Sequence, residues 1–398
     1  MARSGGTMDF DRLTVRRGTH SAKWSAAGKA LGLTGEDALP MWVADMDFDT
    51  SPHILDAVTR LRDTAILGYF DGLDAVAGTI ADWMRTRHGW AMDPDHALFV
   101  GGLGNGIATC LQAFTEPGDG IIIFTPVYLE FAKKVKNARR EVHESPLILD
   151  SDGQFQIDFD ALEAGMTGRE KVMLLSSPHN PAGRLWTLEE QRRLAEFCAR
   201  HDLVLMSDEV HQDLVFPGSE HLPMMVAAPE HADRIVMLTS ASKTFNIAGT
   251  RVGTVTVPDP RLRETLRRTV AMLDIQPNIF GAFLTQAAYG PGGAEWVDSL
   301  TPYLAGNAAL FREEIARIPG LRATPMQGTY LAWVDFTPLG MNFEEIRRRL
   351  VEDARIGGSP GPDFGTGGDC AMRFNIGTQR SRVAEAAARI QEAFSDVQ

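Results

Sequence analysis

Only three cysteines, Cys110, Cys198 and Cys370, occur in 398 residues, and they lie far apart in apolar or helical contexts. That scarcity excludes a disulfide framework and a CxxC metal site, and it predicts core thiols in a reducing cytoplasm. Long apolar runs are also missing. No stretch approaches the span of a bilayer, and the opening "MARSGGTMDFDRLTVRRGTH" lacks the apolar core of a signal peptide, so a cytoplasmic protein is expected. Positive charge is in deficit: the net charge is -13, which argues against a nucleic-acid backbone or an anionic membrane surface as partner. The densest basic run, "KKVKNARR", reads as the exposed face of a helix. There is no internal repeat and no long low-complexity tract, although "GGSPGPDFGTGGD" is a Gly/Pro-rich loop.

What is present is enough chain for two or three structural units and a large core. Short apolar runs that end in Gly, Pro, Ser or Asp recur: "GIIIFTPVY", "KVMLLSSPHNP", "LVLMSDEV" and "RIVMLTSASK". Runs apolar on both faces and alternating with helical patterns predict a mostly parallel sheet buried between helix layers. One intervening helix, "TLEEQRRLAEFCARHD", has Thr187 as its N-cap and Glu189 and Glu190 in an acidic first turn, which completes a βαβ crossover. After about residue 290 the pattern changes to a long helix, the strand "GTYLAWVDF" and the helix "FEEIRRRLVEDA", which suggests a smaller α+β domain. Ligands of doubly wound sheets bind beyond the carboxyl ends of the strands, so Tyr128, Asn180, Asp208, Ser240 and Lys243 should face one crevice.

The glycine-rich "GGLGNGIA" misses the third glycine of a dinucleotide fingerprint at Ile107 and lacks a P-loop's Gly-Lys-Ser/Thr ending. Two readings stand for it: a tight strand-to-helix turn, or a helix N-terminus whose free N–H groups bind a phosphate. Lys243, after three small residues at a strand end, reads either as a solvated charge or as a desolvated amine able to form an imine. Asp208 reads either as a helix-capping acid or as a buried partner for a protonated pyridine nitrogen.

Taken together, "SASKTFNIAGTRVG", "SDEVHQDLVF", "SSPHNPAGRLW" and "MRFNIGT" resemble the fold-type-I pyridoxal-phosphate (PLP) enzymes of the aspartate aminotransferase superfamily, over nearly the whole chain. "LPMWVADMDF", "RHGW", "FTPVYLEF", "GTYLAWVDF" and "PGPDFGTGG" are similar to its cystathionine β-lyase, or C–S lyase, branch, which includes the maltose-regulon modulator proteins. The resemblance implies a large α/β domain over 51–290 with a mostly parallel seven-stranded sheet, a small α+β domain over 291–398, and a segment 1–50 packing on the small domain and the site.

The resemblance also implies roles. Lys243 would be the imine-forming lysine and the base for the Cα proton, and Asp208 would pair with the pyridine nitrogen. Asn180 would donate to the phenolic oxygen of the ring and help bind substrate. His211 lies where the superfamily often has a tyrosine doing the same; its other reading is a histidine satisfied within a helix turn. Tyr128 would stack on the ring. The phosphate would lie among Gly104, Asn105, Gly106, Ser240, Ser242 and Arg251, and Tyr69 would reach the phosphate of a second subunit, which implies a homodimer with shared sites. Arg373 would grip the substrate α-carboxylate, with Val43 and Ala44 lining that side. Gly249 would be a close-approach turn. No metal is implied.

The expected reaction is β-elimination from L-cystathionine, L-cysteine or a related S-conjugate. The alternative is amino transfer on the same scaffold, and a mainly regulatory binding protein is the third reading. Arg251 departs from the lyase branch toward the general aminotransferase pattern and strengthens the phosphate site.

Overall fold

The computed structural model describes residues 8–397; residues 1–7 of the expected segment 1–50, and Gln398, lie outside the described residues. Seven strands make the main sheet: β1 (Ala97–Val100), β2 (Gly120–Ile123), β3 (Glu141–Glu144), β4 (Glu170–Ser176), β5 (Val204–Asp208), β6 (Ile235–Thr239) and β7 (Gly253–Thr256), in the order β1-β7-β6-β5-β4-β2-β3. All neighbours are parallel except β7, which runs against both β1 and β6. The apolar runs become strands because both faces are covered. Ile121 and Ile123 enter one core with Val172, Leu174 and Met206, while Ile122 enters the other with Met173, Leu175 and Leu205, the alternation that a pleated strand imposes.

The helices Leu103–Phe114 and Leu188–Arg200 cover opposite faces and carry Cys110 and Cys198 into the two cores. The second begins as its sequence predicts. Thr187 Oγ1 accepts the Glu190 N–H at 3.2 Å and the Glu190 carboxylate accepts the Thr187 N–H at 2.7 Å, a reciprocal cap. Gly106 permits the first helix to seat on the sheet, since a Cβ there would stand 3.1 Å from Val100 and 3.3 Å from Val255.

A second, antiparallel sheet joins β8 (Arg322–Ala323), β9 (Leu331–Asp335), β10 (Ser359–Pro360) and β11 (Ala371–Asn375) in the order β8-β9-β11-β10. The long helix Pro291–Ile315 packs on the helix Arg380–Ala393 beside it. Leu39–Pro40 pairs with Ile356–Gly357. The chain then runs on through residues 41–48 as a strap between the two sheets, in no strand.

The strap is held from outside by a buried ion pair. Lys23 is fully buried, and its Nζ donates to Asp47 Oδ2 at 2.7 Å, while Trp24 Nε1 and Arg16 Nη1 donate to Asp47 Oδ1. Burial works to raise the Asp47 carboxyl, but Lys23, Trp24 and Arg16 outweigh it and hold it below the usual carboxylate range. Lys23→Met is therefore expected to lower the unfolding free energy by about 3 kcal/mol by stranding a buried carboxylate. Adding Asp47→Leu should return part of that loss, which denaturant titration of the three proteins would read.

Candidate active site

Parallel pairing brings several predicted residues to one edge. Ser176 stands opposite Asp208, and Asp208 opposite Leu238, so the loops after β4, β5 and β6 deliver Asn180, Asp208 and the Ser240–Lys243 turn together. β7 runs the other way and starts at that same edge, which places Arg251, two residues before it, beside the start of the helix after β1. A Cβ on Gly102 would lie 4.0 Å from the Arg251 Cα.

The Lys243 amine donates to the Ala44 carbonyl at 2.8 Å. Burial pulls it down to about 8, Arg373 in the same direction, with Asp45 and Asp208 opposing. Asp208, buried at the end of β5, accepts a hydrogen bond from the Val210 N–H at 3.2 Å. Burial pushes its carboxyl up to about 7; the Val210 amide and Lys243 work against that rise and Glu209 adds to it. Among the described residues it forms no ion pair, and Lys243 offsets only part of the cost of burying its charge.

Arg373, on β11, is 3% exposed. It donates to Asn180 Oδ1 at 2.9 Å, to the Trp42 carbonyl at 2.7 Å and to Ser359 Oγ at 3.0 Å, while its Nε has no acceptor among the described residues. The guanidinium lies 5.0 Å from the Phe364 ring centre, and burial lowers it to about 10. His211 is buried with Nδ1 unsatisfied, its ring 5.9 Å from that of Tyr330. Burial, with Lys243 and Arg373 alongside, takes the imidazole down to about 3, so it is neutral. Tyr128 is half-buried and its N–H donates to the Asn180 carbonyl at 3.1 Å; burial and then Glu130 raise its phenol.

At the other end, the Asn105 and Gly106 N–H groups donate to the Gly102 carbonyl. The Leu103 and Gly104 amides are left without acceptors among the described residues. The Asn105 side chain accepts from the Gly101 N–H at 2.9 Å. Ser240 Oγ donates to the Val252 carbonyl at 2.7 Å and accepts the Ser242 N–H at 3.1 Å, so its hydroxyl is committed within the protein. The Ser242 hydroxyl and the exposed Arg251 guanidinium have no hydrogen-bond partner among the described residues. Tyr69 is fully exposed, in the loop before Leu73. Gly249 is exposed, with nothing within 4 Å of a Cβ placed there among the described residues.

Four groups in this crevice were not singled out from sequence. Tyr330 donates its hydroxyl to the Ala44 carbonyl at 3.2 Å, Ser359 supports Arg373, and Asn246 and Asn375 bind the strap. All four sit inside motifs quoted above, "GTYLAWVDF", "GGSPGPDF", "SASKTFNIAG" and "MRFNIGT", and their signal is a polar side chain within an otherwise apolar or glycine-rich run.

Residues 37–390 match the model of the aminotransferase class I and II family, and the chain belongs to that family. Among curated proteins it is similar to cystathionine beta-lyase PatB of Bacillus subtilis, with 34% identity over 98% of this chain and 100% of PatB. It is also similar to protein MalY of Escherichia coli, with 31% identity over 98% of this chain and 99% of MalY. Among solved structures, cystalysin of Treponema denticola, which contains a pyridoxal 5'-phosphate cofactor, has 30% identity and a TM-score of 0.94 over 99% of this chain and 100% of its own.

The Asp208 geometry has a thermodynamic consequence. The unfolded chain releases this proton near 3.8 and the folded chain near 7, so raising the pH across that window costs stability. Asp208→Asn should therefore stabilise the ligand-free protein above the window by a few kcal/mol, about 1.4 kcal/mol for each pH unit crossed, and change little below it. Unfolding curves recorded on either side of the window check this.

Proposed function

We propose that the protein is a PLP-dependent carbon–sulfur β-lyase, acting on L-cystathionine, L-cysteine or related cysteine S-conjugates to give a thiol, pyruvate and ammonia. The observation that carries this reading is the meeting, in one crevice, of the depressed Lys243 amine with a buried Asp208 that forms no ion pair among the described residues. Full-length similarity to cystathionine beta-lyase PatB supports the lyase chemistry.

The residues fit the cofactor. Lys243 would hold it covalently, Asp208 would pair with its protonated ring nitrogen, and Asn180 and His211 would meet the ring oxygen, with Tyr128 on the ring face. The free Leu103 and Gly104 amides, Ser242 and Arg251 would receive the phosphate, with Asn105, Gly106 and Ser240 shaping the turns behind them. Bound PLP supplies an electron sink beside the substrate Cα.

The chain's own groups do the rest. Arg373, fixed by Asn180, Ser359 and Trp42, turns its unsatisfied Nε toward a carboxylate, and Ala44 with Val43 walls that side. Lys243 is able to be a neutral base near physiological pH, and takes the Cα proton. Loss of that proton and of the Cβ thiolate, followed by addition of water, gives pyruvate and ammonia. Amino transfer is the second reading, favoured by Arg251, which belongs to the general aminotransferase pattern.

We also infer a homodimer with shared active sites. The helices Pro52–Thr64 and Ile279–Ala288 pack together and leave Leu55, Val58 and Phe280 exposed, and the loop between the first of them and Leu73 exposes Ile66, Leu67 and Tyr69. Covering this apolar surface with a second copy would carry Tyr69 toward the partner's phosphate site. The three thiols are unpaired, in keeping with a cytoplasmic location, and among the described residues no helix is long and apolar enough to cross a membrane.

Incubation with L-cystathionine and PLP is expected to yield pyruvate and ammonia with no 2-oxo acid present. Product that forms only when 2-oxoglutarate is added would overturn the lyase in favour of the aminotransferase. Lys243→Ala should lower turnover by at least about a hundredfold, and Arg373→Lys should raise KM by about tenfold or more while lowering kcat less.

A further inference from the structure

Asn246 follows Lys243 by three residues in the same tight turn, with its N–H donating to the Lys243 carbonyl. Its backbone is left-handed at φ 56°, a conformation that asparagine tolerates better than most residues. The side chain binds the strap three times: Nδ2 donates to the carbonyls of Met46 at 3.0 Å and Phe48 at 3.1 Å, and Oδ1 accepts the Met46 N–H at 3.0 Å. From the opposite side, Asn375 donates to the carbonyls of Val43 at 2.6 Å and Asp45 at 2.8 Å. The Ala44 carbonyl, flanked by the two that Asn375 holds and two residues before Met46, receives both the Lys243 amine and the Tyr330 hydroxyl.

We propose that Asn246 is a positioning residue for Lys243: it clips the strap onto the turn that carries the lysine, and so holds the Ala44 carbonyl against the amine and closes that side of the crevice to water. This rests on Lys243 being the residue that captures PLP. The charged and titratable groups facing the amine are Asp45 on the strap, Asp208 at the end of β5, Arg373 on β11, and His211 and Tyr330 beside them. Burial is the largest influence on Lys243 and lowers it, whereas Asp45 raises it. Releasing the strap removes both, and the larger one decides the sign: a hydrated amine returns from about 8 toward its ordinary 10.5.

The test is the rate of PLP capture, followed by absorbance across neutral to alkaline pH, for the full-length wild type, Asn246→Gly and Lys243→Ala. Glycine keeps the left-handed turn and removes only the side-chain bonds. For Asn246→Gly the pH midpoint of capture should rise by about one unit or more, with capture at neutral pH about tenfold slower. A lower melting temperature with an unmoved midpoint makes Asn246 merely structural and overturns the proposal. Capture by Lys243→Ala equal to wild type would instead remove the reading of Lys243 itself, and the proposal with it. Should Asn246→Gly fail to fold, Asn246→Ser shortens the side chain and removes both amide donations without adding a charge; its midpoint must also rise, and an unchanged one is again a refutation.

Discussion

Seven successive carbonyls, from Trp42 to Phe48, each accept a hydrogen bond from a side chain. The donors are Arg373 and Ser359 to Trp42, Asn375 to Val43, Lys243 and Tyr330 to Ala44, Asn375 and Lys23 to Asp45, Arg16 and Asn246 to Met46, Gln379 to Asp47, and Asn246 to Phe48. An extended segment held between two sheets must satisfy its backbone somehow, and no strand runs beside this one to do it. The solution draws donors from three regions of the chain: the N-terminal segment, the turn after β6, and the β9 to β11 sheet with its following turn. The strap's bonding is therefore complete only when all three are in place, and Lys243 and Arg373 are themselves part of it.

The two buried carboxylates, Asp47 and Asp208, shift in opposite directions. At the Lys23–Asp47 pair, opposite charges and an indole N–H offset the cost of burial, and the Asp47 carboxyl is held in its charged form. In the crevice the balance runs the other way. Asp208 is raised, and Lys243, His211 and Arg373 are lowered, each with burial as its leading cause. Every one of them is pushed toward its neutral form because the protein gives it too little of the opposite charge. A ligand with a protonated ring nitrogen and a carboxylate would relieve Asp208 and Arg373 together, so the same deficits that cost folding energy would be returned as binding energy.

Much of this was legible in the sequence, for a physical reason. Parallel strands joined by helices send every strand's carboxyl end to one edge, so finding the apolar runs was enough to bring Asn180, Asp208 and Lys243 together without knowing strand order. The capping box at Thr187 was equally local. What escaped depended on pairing across long separations. Asn246 meets Met46 and Asn375 meets Val43 only after the strap has crossed the molecule, and nothing near Lys23 in the chain marks it as fully buried. The glycines' surroundings were likewise not local: a Cβ on Gly106 would face β1 and β7, and one on Gly249 would meet nothing within 4 Å.

The antiparallel β7 also went unread, and it makes the anion end of the site. Had β7 run parallel to β6, the residues before it would lie at the far edge of the sheet, away from the helix Leu103–Phe114. Reversal puts Arg251 beside Gly102, in a left-handed turn, where its guanidinium forms no ion pair among the described residues. Elsewhere arginines are commonly tied to carboxylates, as Arg348 is to Glu345 and Asp353 or Arg184 to Glu190. An unpaired guanidinium next to two free amides at a helix N-terminus concentrates positive potential at one point. That point is set by the direction of a strand, whereas the surroundings of the Lys243 amine are set by the strap at the Ala44 carbonyl; the turn 240–246 joins the two, with Ser242 at one end and Asn246 at the other.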